Sequence, residues 1–487
     1  MRNATADYNI IFIVGDALRR ENLGCYGYKK NVSPTIDQLA KKGVLFKNAF
    51  CCSNHTDSSI TSMMTGRYPS VHGIHHHGRR VLDEEIRTFN QTGAIMLAEI
   101  LKAHGFYTIA LDWLGRWQKR GFDYYGEEGL YPTMEAEMEK KIDELAESEE
   151  MKKQLKILFH RIGFHLPGRS GVYYTNQATK FIEKNPNKNF FLFIHNWDTH
   201  TPFDILPDEY RSKYVDSKGK NKVTDMLKKI KDKKWREVVE NYHLYKVEYL
   251  EQIPGLYDAG VNLFNDSLRA LYDMLENKGL VEKTIFVITA DHGDNPLVDG
   301  IFVGHFGLYD PVIHVPLIIT GPGLPEGRQV KQYVQHIDLF PTLLELVGID
   351  YLGYNPDGVS ILDILNDNKK QIRDSTLTSD GAAMKRFAFR TKDYKYIYTV
   401  GPKELVIPFD TYGNRFKEEL YNLKSDPSER NNLVKTEPLK AKELKKKLLT
   451  KLDELERKKQ ALIKSHESKE TEKIKKVVDS LDIKLKI

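Results

Sequence analysis

Apolar residues along the chain follow two alternating patterns. Short unbroken runs of β-branched and aromatic residues are separated by longer stretches in which apolar positions recur at helical spacing. Tyr8–Val14, Val44–Phe50, Phe106–Leu111, Asn189–His195, Thr284–Thr289 and Val315–Thr320 read as strands, the longest of them covered on both faces. Between them, a helix opens at Ser33-Pro34 and closes at Gly43, and another begins at Thr56 and stops at Thr65-Gly66. Further helices are predicted over Thr92–Ala103, Leu256–Asn277 and Ile337–Val347. The alternation predicts an α/β fold: a doubly wound, mostly parallel sheet with helices on both faces.

The pattern changes near residue 370. Arg386–Val400 alternates aromatic with polar residues, which suits antiparallel strands with one covered face. The expected organisation is a catalytic domain over 1–370, a smaller α+β subdomain with an antiparallel sheet over 371–435, and a charged helical tail over 436–487. The tail, rich in Lys, Glu and Leu, reads as a solvated helix or a short coiled-coil arm. Two other segments stand out. Thr133–Leu158 has the spacing of an exposed inserted helix, and the lysine-rich residues 218–236 read as mobile.

Charge and cysteine content narrow the function classes. The net charge of +5 over 487 residues is small, and Lys and Glu are interleaved, which argues against a nucleic-acid partner. Cys25, Cys51 and Cys52 form no disulfide framework, and the first apolar run leads into Gly15-Asp16 instead of a cleavage site. No run reaches the ~18 apolar residues needed to span a bilayer. A cytoplasmic protein without a membrane partner is expected, and a homo-oligomer is compatible with the sequence.

Candidate chemistry gathers where buried strands end. Asp16 follows the first strand, Asp198 and His200 follow the fourth, and Asp291 with His292 follows Thr284–Ala290. Parallel strands bring their carboxyl ends to one edge, where open α/β sheets place their sites. Carboxylates beside imidazoles suit a divalent metal, Zn²⁺ or Mn²⁺ before Ca²⁺, as one ion or two. Thr56, at a helix N-terminus, is the candidate nucleophile, because a metal can activate its hydroxyl and the helix end favours an anion. The proposed metal ligands are Asp16, Thr56, Asp291 and His292. Asp198, His200 and His305 are candidates for a second metal or for substrate. Arg19 and Arg67 are candidate substrate contacts. His75-His76-His77 reads as a solvated loop.

With Asp16-Ala17-Leu18-Arg19 after its first strand, Thr65-Gly66-Arg67-Tyr68-Pro69-Ser70 at the end of the Thr56 helix and Asp291-His292-Gly293 after a later strand, the chain resembles the sulfatase branch of the alkaline phosphatase superfamily over Asn9 to about Leu433. The resemblance is carried by Ile10–Gly15 followed by Asp16-Ala17-Leu18-Arg19, and by Ser33-Pro34-Thr35-Ile36-Asp37-Gln38-Leu39-Ala40. It continues in Thr65-Gly66-Arg67-Tyr68-Pro69-Ser70-Val71-His72-Gly73, Asp291-His292-Gly293, the Val315–Gly323 stretch and Glu419-Leu420-Tyr421-Asn422-Leu423. It implies the alkaline phosphatase-like fold, metal dependence and a small anionic ester as substrate. Four positions depart from the sulfatase pattern. Thr56 stands where sulfatases carry the Cys or Ser that becomes formylglycine, Ser58 and Ile60 replace the Pro and Arg of that motif, and Ala17 replaces an Asp of the metal site. Threonine cannot become formylglycine. A threonine nucleophile with an Asp-His pair is similar to the phosphodiesterase and phosphonate hydrolase members. The resemblance therefore implies phosphate or phosphonate (di)ester hydrolysis through Thr56, with sulfuric ester hydrolysis and transfer of a phosphoryl-linked group as alternatives.

Overall fold

The strand runs anticipated from the apolar pattern form the centre of the computed structural model. It describes residues 7–480 apart from 113, 127–147, 149–150, 153–170, 186–187, 217, 231–232, 296, 299–300, 303, 352, 367–369, 382–385 and 400–416. β1 (Asn9–Gly15), β5 (Phe190–Asn196) and β6 (Thr284–Ala290) are buried at every position. Such strands can only lie in the middle of a sheet covered on both sides. β2 (Val44–Phe50), β3 (Tyr107–Leu111) and β4 (Tyr124–Gly126) join them. β7 (Leu297–Val298) and β8 (Ile301–Phe302) make a separate short hairpin. β9 (His314–Val315), β10 (Leu317–Thr320) and β11 (Arg328–Gln335) complete the main sheet. Its order is β11-β2-β10-β6-β1-β5-β3-β4, with β9 beside β2.

The sheet is mostly parallel. β10 runs antiparallel to both β6 and β2. The single strand expected over Val315–Thr320 is split at Pro316, whose nitrogen carries no hydrogen to donate to a ladder. The helix expected over Thr92–Ala103 begins only at Leu97, because Gly93, at φ 60°, ends the preceding helix Asp83–Gln91. Part of the lysine-rich stretch is packed into the core. Val223, Met226 and Leu227 are buried on the short helix Val223–Leu227. The helix anticipated over 133–158 lies almost wholly outside the described residues.

A second sheet, antiparallel throughout, has the order β12-β13-β14-β15: Ser375–Ser379, Arg386–Thr391, Tyr394–Thr399 and Glu418–Asn422. Polar contacts to Tyr309 and Asp310, which precede β9, tie it to the first, and Glu429 completes the cluster. Lys395 Nζ lies 2.6 Å from Asp310 and 2.7 Å from Glu429, Arg390 reaches Asp310 at 2.9 Å, and Tyr309 donates to Glu419 at 2.9 Å.

The tail differs from expectation. It is one helix, Pro438–Ser480, and one face of its first part is packed against the rest of the protein. Ala441, Leu444, Leu448 and Leu455 are buried in a cluster with Val71, Leu377, Phe389 and Tyr396. Lys458 is paired with Asp357 at 2.6 Å, and Lys445 with Glu418 at 2.5 Å. A lysine-rich helix buries one leucine stripe while its charged positions stay in water. No helix among the described residues is long and apolar enough to cross a membrane.

Candidate active site

Register brings the strand ends together. Gly15 of β1 is level with Asn196 of β5 on one side and with Ala290 of β6 on the other, so Asp16 and Asp291 leave adjacent strands at one edge. Val14 pairs with His195 and Leu111 with Ile194, which places His195 and Asp112 at the same edge. Ala17 turns the chain away at φ 59°, a left-handed conformation that alanine adopts at a cost of about 1–2 kcal/mol. Its N–H donates to Asp291 Oδ1 at 3.1 Å. The strained turn thus fixes one carboxylate against the neighbouring strand end.

Three buried groups leave polar atoms pointing at one another. Both oxygens of Asp16, Oδ2 of Asp291 and Nε2 of His292 are buried and have no hydrogen-bond partner. His292 uses Nδ1 on the carbonyl of Gly293 at 2.8 Å, which leaves the Nε2 lone pair 3.3 Å from Asp291 Oδ2 and 3.8 Å from Asp16 Oδ1. His195 joins Asp112 Oδ1 through Nδ1 at 2.9 Å, and its Nε2 lies 3.3 Å from Asp16 Oδ2. Burial works against a charged Asp16, but His200, His195 and His292 outweigh it and hold the carboxyl well below the usual range. Burial also opposes protonation of His195, yet the Asp112 and Asp16 carboxylates carry its pKa up to about 10.

Buried carboxylate oxygens without donors are costly unless a cation satisfies them. Asp16, His195 and Asp291 each offer one ligand atom, all within 4.8 Å of one another. Carboxylate oxygen with imidazole nitrogen is a donor set that fits a divalent metal.

Thr56, buried, opens the helix Thr56–Thr65, and every residue of that helix is buried. Its first turn rests on the Asp291 strand end, where Ser59 Oγ donates to the Asp291 carbonyl at 2.6 Å. Gly66, at φ 65°, closes the helix in a left-handed turn. Next to Thr56, the Asp57 carboxylate is clamped by the Gly78 N–H at 2.7 Å, by His77 at 3.0 Å and by Arg116 at 3.0 Å. Burial would raise the Asp57 pKa, but these partners lower it.

A row of imidazoles borders the centre. Ring centroids of His292 and His305 are 4.5 Å apart, His305 and His55 5.3 Å, and His305 and His200 5.6 Å. Burial pushes His55 and His305 well below 6.5, so both are neutral. Asp294 is also buried at this edge, and burial raises its pKa against the pull of His200, Arg19 and His292.

Not every anticipated residue converges. Asp198 Oδ2 accepts from Asn196 Nδ2 at 2.9 Å, and the three-ligand cluster among the described residues, Asp16, His195 and Asp291, includes neither His292 nor Asp198, His200 or His305. Arg67 is buried, stacks over Tyr354 at 4.3 Å and donates to the Thr92 carbonyl, which makes it a support for its own turn. Arg19 stays near the site, over Tyr257 at 5.9 Å. His195, Asp112, Asp294, Asp57 and His55 were missed. Asp112 carried a usable signal, since it follows a strand just as Asp16 and Asp291 do.

A doubly wound sheet with an acid-imidazole centre at its carboxyl edge, beside a helix N-terminus, is the architecture of the alkaline phosphatase-like hydrolases. The Sulfatase family model matches residues 8–349, and the chain belongs to that family, whose members are metal-dependent hydrolases of ester bonds. A second family model, N-sulphoglucosamine sulphohydrolase, C-terminal, matches residues 300–458, which include the second sheet and the buried part of the tail helix. The chain is 26% identical to a sulfatase of Formosa agariphila, over 86% of this chain and 82% of that protein. Its fold is similar to that of a putative sulfatase from Bacteroides fragilis, with TM-score 0.65 and 19% identity over 93% and 97% of the two chains. It is equally similar to that of the phosphonate monoester hydrolase of Agrobacterium radiobacter, with TM-score 0.65 and 18% identity over 92% and 96%.

Proposed function

We propose that the protein hydrolyses small anionic sulfuric esters at the Asp16–Asp291–His292 centre, with Thr56 as nucleophile. The observation that carries the reading is the set of buried, unpartnered carboxylate and imidazole atoms beside the Thr56 helix N-terminus. The preference for sulfate comes from the relatives, which are mostly sulfatases, and it reverses the order drawn from the sequence. Asp16, Asp291 and His292 would hold a divalent cation, Zn²⁺ or Mn²⁺ before Ca²⁺ on its nitrogen donor. When bound, it would supply positive charge that lowers the pKa of the threonine hydroxyl and offsets developing negative charge.

The chain's own groups do the rest. The Thr56 oxygen forms a bond to sulfur while the bond to the ester oxygen breaks and the hydroxyl proton passes to that leaving oxygen, releasing the alcohol and leaving a sulfated Thr56. Water then attacks sulfur, and sulfate leaves with Thr56 regenerated. The N–H groups of the first helical turn face the anion, and neutral His55 and His305 border the site without repelling a cation. Asp57, held by His77, Arg116 and Gly78, fixes the first turn.

A specific residue favours a second reading. Threonine cannot supply the aldehyde hydrate that lets a sulfatase shed sulfate by elimination, so release depends on direct attack by water. A phosphate or phosphonate ester fits the same geometry, either with hydrolysis or with transfer of a phosphoryl-linked group to another acceptor. The free thiols of Cys25, Cys51 and Cys52 support a reducing, cytoplasmic location. The test is turnover of matched aryl sulfate, phosphodiester and phosphonate esters by the metal-loaded protein. Sulfate hydrolysis above both others supports the first reading, and phosphorus-ester hydrolysis above sulfate supports the second.

A further inference from the structure

We propose that His195 is a ligand of the metal held by Asp16, Asp291 and His292, and that Asp112 is the positioning residue that aims it. The proposal rests on the metal-dependent reading above and adds two residues to the centre.

His195 is out of place by pattern. It closes the apolar run of β5, is wholly buried, and stands beside Val14 immediately before the Asp16 turn. A buried imidazole in a central strand needs partners for both nitrogens. Nδ1 faces Asp112 Oδ1 at 2.9 Å, which directs Nε2 toward Asp16 Oδ2 at 3.3 Å. Asp112 is itself fixed. It accepts from the Tyr125 hydroxyl and from the Leu114 N–H at 3.4 Å, and the Gly115 N–H anchors that hydroxyl at 3.2 Å.

Spacing favours ligation. Two atoms bound at ~2.0–2.1 Å to a tetrahedral ion stand about 3.3–3.4 Å apart. Asp16 to His195 and Asp291 to His292 are both 3.3 Å, and Asp16 to His292 is 3.8 Å. One ligand atom each from Asp16, His195 and Asp291 falls within a 4.8 Å group. A carboxylate behind a ligating histidine is the usual device for holding the ring and its tautomer. Two imidazoles with two carboxylates select Zn²⁺ or Mn²⁺ over Ca²⁺, which prefers oxygen throughout. The competing role for His195 is that of a cation balancing Asp16 and Asp112, and a metal-binding experiment separates the two.

Metal-free full-length protein is titrated with Zn²⁺, and the visible spectrum of the Co²⁺-loaded form is recorded, for the parent, His195→Ala, Asp112→Asn and Asp291→Ala. Ligation by His195 predicts a loss of Zn²⁺ affinity of 100-fold or more and a changed Co²⁺ spectrum in His195→Ala. Asp112→Asn should lose about 10-fold, at the low end of such effects, with metal-free thermal unfolding still cooperative. Parent-like affinity and spectrum in His195→Ala, with metal lost in Asp291→Ala, overturn the assignment of His195 and leave the proposed function standing. Parent-like metal binding in both variants overturns the centre itself. Should His195→Ala not fold, Asp112→Asn decides: an unchanged affinity and spectrum overturn the positioning role.

Discussion

Leu448→Ala is the sharpest probe of how the tail belongs to the molecule. Leu448 is wholly buried on the C-terminal helix, in the cluster that includes Val71, Phe389 and Tyr396. Truncating a buried leucine removes transfer free energy and leaves a cavity, together costing about 2–5 kcal/mol. Removing the whole helix costs more. Leu444, Leu448 and Leu455, at about 1.5–3 kcal/mol each, sum to roughly 5–9 kcal/mol, comparable to a typical total stability of about 5–15 kcal/mol. Deletion beyond residue 440 should therefore leave a protein that does not hold its second sheet, whereas a solvated arm could be removed freely. The assay is urea unfolding of the parent and Leu448→Ala, followed by circular dichroism, with the slope checked for constancy. A shift under about 0.5 kcal/mol would refute the packing argument, because only an exposed leucine gives so little.

Asp291→Ala should abolish stoichiometric metal while the fold survives, as elemental analysis and a melting curve would show, since the residue sits at a sheet edge and its Oδ2 has no protein partner. Acid should weaken the fold through buried neutral histidines. Burial, with His292 nearby, holds His336 down to about 3, and burial holds His72 well below 6.5. The unfolded chain titrates near ~6.5 and takes up protons first, so this stability is complete above that pH and is lost as pH falls toward 3, by at most about 1.4 kcal/mol per pH unit per histidine. Melting midpoints between pH 7 and pH 4.5 should fall more steeply for the parent than for His336→Gln.

Much of this was legible because burial on both faces writes itself into composition. β1, β5 and β6 are near-continuous apolar runs, and the acids at their ends, Asp16 and Asp291, could be named from position alone. His195 was not, because a histidine ending an apolar run looks like the strand's last residue. Only the register with Val14 shows it facing Asp16. Asp198 follows the same strand-end rule, and its Oδ2 accepts from the side chain of Asn196, two residues before it, a contact that strand-end position does not reveal. The packing of the tail is hidden in the sequence because its lysines outnumber its leucines, and the surface that Leu444, Leu448 and Leu455 cover comes from residues as distant as Val71 and Leu377. Local periodicity carries no information about a partner that far away in the chain.

The central claim is that Thr56 attacks the ester at a metal centre. It is tested most directly by Thr56→Ala, assayed on the best ester of the panel beside the parent and Thr56→Ser at equal metal content. Thr56→Ala removes only the attacking oxygen from a helix that Ser59 continues to hold against Asp291. Turnover should fall by about 10³-fold or more in Thr56→Ala and stay measurable in Thr56→Ser, since nucleophile and metal act as a unit. Parent-like turnover in Thr56→Ala would contradict the mechanism.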